Sequence, residues 1–242
     1  MPFSPKLLAR SWMRPRGLSR VHRIALAGVD FIPDLSGALY APDFKALLVA
    51  DLHLEKGSSI ARRRVHLPPY DTRSTLSQLM AVIAAAKPEQ IIFLGDSFHD
   101  KWARERIDAA DLATLRSITA EYRVIWITGN HDPSPPDDIG GAIVTEVALG
   151  PVTLRHKPKR LAPDETEIAG HLHPAAEVAQ RGHAIRCRCF IADSRRVIMP
   201  AFGSYTGALS VSAEPFAALF TEFHVWMLGA RAIHRFPARK VR

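Results

Sequence analysis

The chain has 242 residues, 47% of them hydrophobic and 23% charged, which suits one globular domain with a full core. No stretch approaches the ~20 apolar residues that span a bilayer, so the sequence predicts neither a transmembrane helix nor a signal peptide. The formal net charge of +8 bears on partners and not on the fold, and it favours an anionic partner.

The beginning of the chain is basic, and strands follow it. Residues 1–23 contain six Lys or Arg residues and no acid, so we expect a flexible extension ahead of a single domain over residues 24–242. The last fourteen residues, GARAIHRFPARKVR, are basic as well. Basic ends of this kind often contact a nucleic acid, and the alternative is a solvated, partly disordered tail. Residues 24–51 predict two or three strands, with turns at Pro33–Gly37 and Pro42–Asp43.

Helices alternate with strands in the next part. Residues 72–88 predict a helix that Lys87–Pro88 ends. Its apolar residues at helical spacing are Leu76, Leu79, Met80, Ile83 and Ala84. The runs QIIFLGD and RVIWITGN predict buried strands, and residues 107–122 between them predict a second helix. This alternation predicts parallel strands joined by right-handed crossovers.

The remainder of the chain is rich in predicted strands. They lie within residues 142–156, 166–173, 183–193, 195–202 and 217–228. The α/β fold that accommodates both halves has two packed β-sheets flanked by helices. Cys187 and Cys189 are two residues apart on one predicted strand, which is a poor geometry for a disulfide. Two reduced thiols are expected, and this cysteine usage fits the cytoplasm.

Polar side chains follow several of the apolar runs. In chain order they are Asp51, His53, Asp96, Asn130, His131, Asp132, His156, His171 and His173. In an open α/β sheet the carboxyl ends of neighbouring strands open on one crevice, so we expect these side chains to meet.

Carboxylate, imidazole and amide groups together suit Mn, Fe or Zn. The set is too large for one tetrahedral ion, and two ions would clamp a substrate for in-line displacement. Asp96, alone on its strand, could bridge the two ions. The spacing of two residues in Asp51/His53 and in His171/His173 would send both members of each pair to one face of an extended strand.

The blocks VADLHLEKG, LGDSFHD, TGNHD and GHLHP resemble the signature of the calcineurin-like metallophosphoesterases, over roughly residues 47–173. The blocks LHLEKGSS, LPPYDT and MPAFGSYTG resemble, more narrowly, the ligase-associated DNA damage response endonucleases. This resemblance implies two packed mixed sheets flanked by helices. It also implies a phosphodiesterase with two divalent ions, most often Mn²⁺, acting as a DNA endonuclease in repair beside a DNA ligase and a helicase.

The resemblance also implies a role for each matched residue. Asp51, His53 and His173 would hold one ion, with Asp96 bridging. Asn130, His156 and His171 would hold the second ion. The substrate would meet His131, which would not be a ligand.

The chemistry of these groups agrees with that assignment. A hydroxide between two cations could attack phosphorus in line, and His131 is the natural acid for the leaving oxygen. Asp132 could orient the His131 ring. His99 and Asp100 could support the ligands from behind or contact substrate, or they could be simple surface loop residues. Arg62, Arg63 and Arg64 could contact phosphates or form a solvated helix face.

Three functions remain open from the sequence. The chain could hydrolyse phosphodiesters in DNA, or act on small phosphate esters or nucleotides, or keep the fold as a non-catalytic module. The net charge favours the first function. The last one would be expected to lack His131, Asp96 or Asn130, and all three are present.

Overall fold

A computed structural model describes residues 22–62, 70–180 and 182–242. The predicted N-terminal extension as far as residue 21 and the two arginines Arg63 and Arg64 therefore lie outside the described residues. Within the described ranges, no helix combines the length and the apolar character that crossing a membrane requires.

The first sheet contains seven described strands in the order β1 to β7. They are β1 (Ile24–Leu26), β2 (Val29–Pro33), β3 (Leu39–Ala41), β4 (Ala46–Val49), β5 (Gln90–Leu94), β6 (Arg123–Ile127) and β7 (Ala142–Val144). The first four strands pair antiparallel, and β4 to β7 pair parallel as the alternation of strands and helices predicts. This mixture places the carboxyl ends of β4, β5 and β6 at one edge.

The second sheet contains nine described strands, β8 to β16. They are β8 (Glu146–Leu149), β9 (Val152–Arg155), β10 (Glu167–Ala169), β11 (Pro174–Gln180), β12 (His183–Ala192), β13 (Arg196–Ile198), β14 (Leu209–Ser210), β15 (His224–Leu228) and β16 (Ile233–Pro237). The main order is β14-β11-β12-β13-β10-β9-β8, and β15 joins β12 to β16. β9, β10 and β13 run parallel, so this sheet is mixed as well.

Five helices lie against the two sheets in the described part of the chain. They are α1 (Lys56–Ala61), α2 (Asp71–Ala86), α3 (Ala103–Arg106), α4 (Ala109–Glu121) and α5 (Glu214–Leu219). The start of α4 is set by Asp108, whose carboxylate accepts from the Ala110 amide at 2.8 Å. The end of α2 is set by Lys87, which is left-handed and precedes Pro88.

Three apolar clusters define four layers. Phe31, Ile127 and Phe190 belong to the core between the two sheets. Leu79 and Leu115 pack α2 and α4 on the outer face of the first sheet. In the third cluster, residues of α5 cover the outer face of the second sheet. The predicted architecture of two packed mixed sheets with flanking helices is therefore confirmed.

Four local expectations are wrong. The N-terminal part has four strands instead of two or three, because Ala27 and Gly28 form a turn with positive φ inside one predicted run. Met80 and Ala84 of α2 are exposed, and Val82 is buried in their place. The run 217–228 begins inside α5, which Pro215 starts in its first turn, and becomes a strand only at His224.

The fourth wrong expectation is that the basic C-terminal stretch is a solvated tail. β16 pairs along its whole length with β15. The amide and carbonyl of Arg242 both bond Glu177 in β11, at 2.9 Å each. Because these are backbone bonds, they hold the last residues of the chain regardless of their side-chain charge.

Candidate metal centre

Three loops of the first sheet carry predicted site residues. β4 ends at Val49, just before Asp51 and His53. β5 ends at Leu94, just before Asp96, and β6 ends at Ile127, before the segment 130–132. The three strands are parallel, so their loops lie at one edge of the sheet as predicted.

The second sheet supplies the remaining histidines at the same place. His156 directly follows β9, and His171 and His173 follow the parallel strand β10. The amide of His171 donates to Asp51 at 3.0 Å, which ties the loop of one sheet to the loop of the other. The site therefore lies where the edges of the two sheets meet.

The side chains fall into three groups whose donor atoms lie within 4.8 Å of one another. The groups are Asp51 with His53 and His173, Asp96 with His156 and His171, and His53 with His99 and His131. The first two groups contain six of the seven residues that the sequence predicts as metal ligands. The seventh is Asn130, which lies beside the second group, with its Oδ1 3.0 Å from His156 Nε2.

Closely spaced nitrogen and oxygen atoms make the first group suitable for a cation. The Nε2 atoms of His53 and His173 are 3.3 Å apart, and His173 Nε2 is also 3.3 Å from Asp51 Oδ1. Two imidazole nitrogens and a carboxylate oxygen directed at one another form the donor set that divalent Mn, Fe or Zn accepts. The residues present therefore fit a metal ion.

Asp96 lies between the first two groups. Its Oδ2 is 3.8 Å from His53 Nε2, and its Oδ1 is 3.3 Å from His156 Nε2. The carboxylate is almost completely buried, and Oδ1 also accepts from the His131 amide at 2.9 Å. Each oxygen of this carboxylate therefore faces a different group of possible ligands.

The backbone at these residues is unusual. Asp51, His53, Asp96, His171 and His173 all have positive φ, between 45° and 71°. A left-handed backbone costs energy at a residue other than glycine, so it persists only where the surrounding structure imposes it. The extended-strand explanation for the two spaced pairs is therefore wrong. His171 and His173 even enter different groups.

Two glycines beside the predicted ligands allow the loops of the site to pack closely against one another. A Cβ on Gly95 would lie 2.5 Å from the His156 ring, and one on Gly129 would overlap the amide nitrogen and Oδ1 of Asp96. Each glycine directly precedes a predicted ligand, Gly95 before Asp96 and Gly129 before Asn130. Only a residue without a side chain fits at these two positions.

Burial and neighbouring charge shift the pKa values in the site. Burial and the charges of His173 and His131 lower the pKa of His53 to about 2, despite the opposing effect of Asp96. His53 is therefore neutral, which is the form that binds a metal. Burial disfavours a charged His156, but its contact with Asp96 and the charges of Asp51 and Asp96 raise its pKa to about 9. The site already attracts positive charge.

His131 and His99 lie side by side at the mouth of the site. Their rings stack with centroids 5.2 Å apart, and the His131 ring is 5.0 Å from that of His53. His131 Nδ1 lies 2.9 Å from the His99 carbonyl oxygen, while His99 Nδ1 is buried without a partner among the described residues. Of the two alternatives for His99, the structure favours the one that places it in the site.

Asp132 does not orient His131, so this expectation is wrong. Its buried carboxylate accepts from the amides of Ser97 at 2.8 Å, Phe98 at 3.1 Å and Gly129 at 3.0 Å. The group facing His131 Nδ1 is the His99 carbonyl instead. Burial raises the pKa of Asp132 to about 7 despite these amides. Asp132 joins the loops after β5 and β6.

The structure describes only the first residue of the predicted phosphate-binding run Arg62, Arg63 and Arg64. Arg62 is exposed at the end of α1, and its guanidinium forms no hydrogen bond or ion pair with any described residue. The two arginines that follow it are outside the described ranges. Contact of this run with phosphates therefore stays a prediction.

The sequence indicated Asp100 but not the polar network beneath the site to which it belongs. The carboxylate of Asp100 accepts from Ser59 Oγ at 2.8 Å and from Arg106 at 3.0 Å, which fixes the loop that carries His99 on α1 and α3. Buried Glu55 accepts from Thr72 Oγ1 at 2.8 Å and ties α1 to α2. Most of these residues lie within the blocks LGDSFHD, LHLEKGSS and LPPYDT, but the sequence did not indicate which of them would pair, because the partners are distant in the chain.

Comparisons with known proteins agree with this geometry. The calcineurin-like phosphoesterase family matches residues 44–177. The crystal structure of a Pseudomonas putida nuclease, MPE, superposes with a TM-score of 0.70 at 29% identity, covering 88% of this chain and 98% of that one. Yfce, a phosphoesterase from E. coli, shows a weaker likeness, with a TM-score of 0.42 and 13% identity over 79% of this chain and 97% of that chain.

A curated plant protein matches a shorter part. It is the probable inactive purple acid phosphatase 29 of Arabidopsis thaliana, 30% identical in an alignment of 96 residues that covers 37% of this chain. The match spans 24% of the length of that relative. The matched family covers more than half of this chain and includes every predicted metal ligand. The chain therefore belongs to the calcineurin-like phosphoesterase family, as a metal-dependent phosphoesterase with the fold of that family.

Proposed function

We propose that this chain is a phosphodiesterase with two metal ions that cleaves DNA. The observation that carries the proposal is the position of Asp96. Its Oδ2 faces His53 at 3.8 Å and its Oδ1 faces His156 at 3.3 Å, so one buried carboxylate serves two groups of ligands. Two divalent ions held on either side of this carboxylate would supply the clamp that in-line displacement at phosphorus uses.

In this proposal, Asp51, His53 and His173 would hold one ion, and Asn130, His156 and His171 would hold the second. Mixed oxygen and nitrogen ligands suit Mn²⁺, with Fe or Zn as alternatives. Once bound, the two ions supply an activated water and the positive charge that a transferring phosphoryl group requires.

Side chains of the protein would supply the proton for the leaving group and hold the loops of the site in place. The hydrogen bond with the His99 carbonyl fixes the His131 ring, and it places the ring proton on Nδ1 when His131 is neutral. When the ring is charged, Nε2 also carries a proton, and His131 can donate it to the leaving oxygen. Asp132 holds the loops on which this geometry depends.

DNA as the substrate is supported by two findings. The Pseudomonas putida protein whose structure covers 88% of this chain is described as a nuclease. The formal charge of +8 gives the chain an attraction for polyanions. A role in DNA repair in the cytoplasm, beside a ligase and a helicase, extends the proposal.

One assay tests the substrate class. The chain loaded with Mn²⁺ is incubated in parallel with supercoiled DNA, single-stranded DNA, an aryl phosphodiester and an aryl phosphomonoester. Cleavage of DNA and of the diester, with little release from the monoester, is the expected result. Efficient hydrolysis of the monoester with intact DNA would instead support action on small phosphate esters.

A further inference from the structure

The loop between β13 and β14 contains a sequence block that the metal ligands do not explain. This β13–β14 loop comprises residues 199–208, and it includes the whole block MPAFGSYTG. None of the residues predicted to bind a metal or to act on the substrate lies in it. Its contacts with the rest of the protein therefore indicate its role.

The beginning of the loop packs on the backbone at Asp51. The amide of Phe202 donates to the Ala50 carbonyl at 2.9 Å. The amide of Gly203 donates to the Asp51 carbonyl at 3.1 Å. A Cβ on Gly203 would lie 2.1 Å from the Leu52 carbonyl oxygen, so only glycine fits at this position. The loop is therefore pressed against the segment that carries the first predicted ligand.

The end of the loop orients the ring of His173. Nδ1 of this ring lies 3.2 Å from the Gly207 carbonyl oxygen, which can only accept, so Nδ1 donates. In the neutral ring, Nε2 is then the nitrogen that can bind a metal. Nε2 lies 3.3 Å from Asp51 Oδ1 and 3.3 Å from His53 Nε2, within the first group of ligands. A carbonyl that orients a ligand histidine in this way raises metal affinity.

Two arginines of β12 bond the loop near its two ends. Arg188 donates to the Ala201 carbonyl at 2.5 Å. Arg186 donates through Nη2 to the Ala208 carbonyl at 2.7 Å. The two arginines are two residues apart on one strand, so their side chains leave the same face. The second bond is the one closest to the ligands, because Ala208 directly follows Gly207.

Arg186 is left to this loop by its other neighbours. Glu177 lies opposite Arg186 in the register of β11 and β12, but the two side chains form no ion pair in the described structure. The Ala208 carbonyl accepts the one hydrogen bond that the Arg186 guanidinium makes to a described residue. A charged donor makes such a bond stronger than a neutral one does. Arg186 is also exposed, and a change at an exposed position rarely disturbs a fold.

We propose that Arg186 is a positioning residue for the metal ion of the first group, which contains Asp51, His53 and His173. It acts without touching these ligands. The contacts run from Arg186 to the Ala208 carbonyl, along the backbone to the Gly207 carbonyl, and from there to His173. This inference rests on the proposed function, because it requires the two groups to hold separate ions.

The second group of ligands has no such connection. His156 Nδ1 lies 2.9 Å from the Leu94 carbonyl oxygen, which belongs to β5. Asn130 is bonded to His156, and the amide of His171 is bonded to Asp51. Within the described structure, no hydrogen bond joins a side chain of the second group to the β13–β14 loop. A change at Arg186 should therefore weaken the binding of one ion and leave the other.

Titration of the full chain with Mn²⁺, after a chelator has removed bound metal, tests the proposal. Electron paramagnetic resonance of the free ion counts the bound ions and gives a Kd for each. Arg186→Met removes the donor but keeps a long unbranched side chain, and Arg186→Lys keeps one charged donor. Arg195→Met is the matched control, because Arg195 donates to the carbonyls of Ala162 and Glu165, in a loop without predicted ligands. Thermal unfolding without metal shows whether each variant is folded.

We expect the parent and the control to bind two Mn²⁺ ions with the same affinities. In Arg186→Met, one ion should bind about tenfold more weakly, which is the lower end of the effect of losing a group that orients a ligand. The affinity of the other ion should not change, and Arg186→Lys should lie between Arg186→Met and the parent. In a chain that also carries Asn130→Ala, which spares the first group, Arg186→Met should still weaken the remaining ion.

Unchanged affinities of both ions in Arg186→Met would overturn the inference, because the loop would then not couple Arg186 to the ligands. An equal loss at both sites would overturn it as well, since the effect would not be specific to the first group. In both cases the parent still binds two ions, and the proposed function stands. A parent that binds a single ion would instead remove the proposed two-ion mechanism, so the two failures are distinguishable.

Discussion

At the scale of single residues, the site depends on a backbone that its residue types do not favour. Five predicted ligands have positive φ, and each such residue costs about 1–3 kcal/mol. The side chains then converge as three groups of close donors. The network of hydrogen bonds among the loops maintains this costly conformation, and bound cations would stabilise it further.

Asp96→Asn is expected to abolish hydrolysis and to lower the metal content. The amide has one oxygen, so it cannot present a negative oxygen to both groups of ligands. Elemental analysis and the rate on an aryl phosphodiester measure the two effects. Asp164→Asn, a change at an exposed carboxylate, is the control. Full metal content with normal activity in Asp96→Asn would contradict the bridging role.

His131→Ala is expected to retain metal and to lose turnover. For a poor leaving group the rate should fall by about 10²–10⁴, which is typical of a missing general acid. An activated aryl ester should lose less, because its leaving oxygen needs no proton. His183→Ala, at an exposed position of β12, is the control. Equal losses on both esters would show that His131 has another role.

At the scale of elements, a buried ion network holds the strands that carry the second set of histidines. Glu167 of β10 is fully buried and accepts from Arg155 of β9 at 2.7 Å and from Arg196 of β13 at 2.5 Å. Arg155 directly precedes His156, and Glu167 lies four residues before His171. The network therefore fixes three parallel strands at the base of the site.

Glu167→Gln is expected to destabilise the fold strongly. Two arginines would stay buried without their shared counter-charge, which costs about 3–5 kcal/mol. Chemical denaturation measures this loss. Glu146→Gln is the matched control, since Glu146 also bonds Arg155 but is half exposed, and its loss should cost at most about 1 kcal/mol. Similar losses in both variants would mean that burial does not decide the strength of this network.

At the scale of the whole molecule, the site joins the two sheets. Asp51 and Asp96 come from the first sheet, and His156, His171 and His173 come from the second. A cation held by both sets would crosslink the sandwich at this edge. Metal binding should therefore stabilise the entire fold.

Removal of metal by a chelator is expected to lower the free energy of unfolding. With free metal at about 100 times its Kd, one bound ion contributes about 2.7 kcal/mol, and the effect grows with metal concentration. Thermal unfolding at several Mn²⁺ concentrations measures it without reference to activity. Asp96→Asn should show a much smaller shift. A melting temperature independent of metal in the parent would argue against a site shared by the sheets.

The sequence alone determined which types of metal ligand are present and which strands they follow. The runs before Asp51, Asp96 and Asn130 are continuous and apolar, and such runs with intervening helices pair parallel because of chain sterics. The α/β character and the ligand types follow from local pattern. The strand predicted from local pattern at residues 217–228 was wrong in its first part, because Pro215 and two alanines belong to helix α5.

Only the tertiary structure decided how these residues combine. It separated His171 from His173 into two groups, because a left-handed backbone replaced the extended one. It turned Asp132 from His131 towards three amides, since a buried carboxylate needs donors. These outcomes rest on contacts between residues that are distant in sequence, and such contacts leave no periodic signal in the chain.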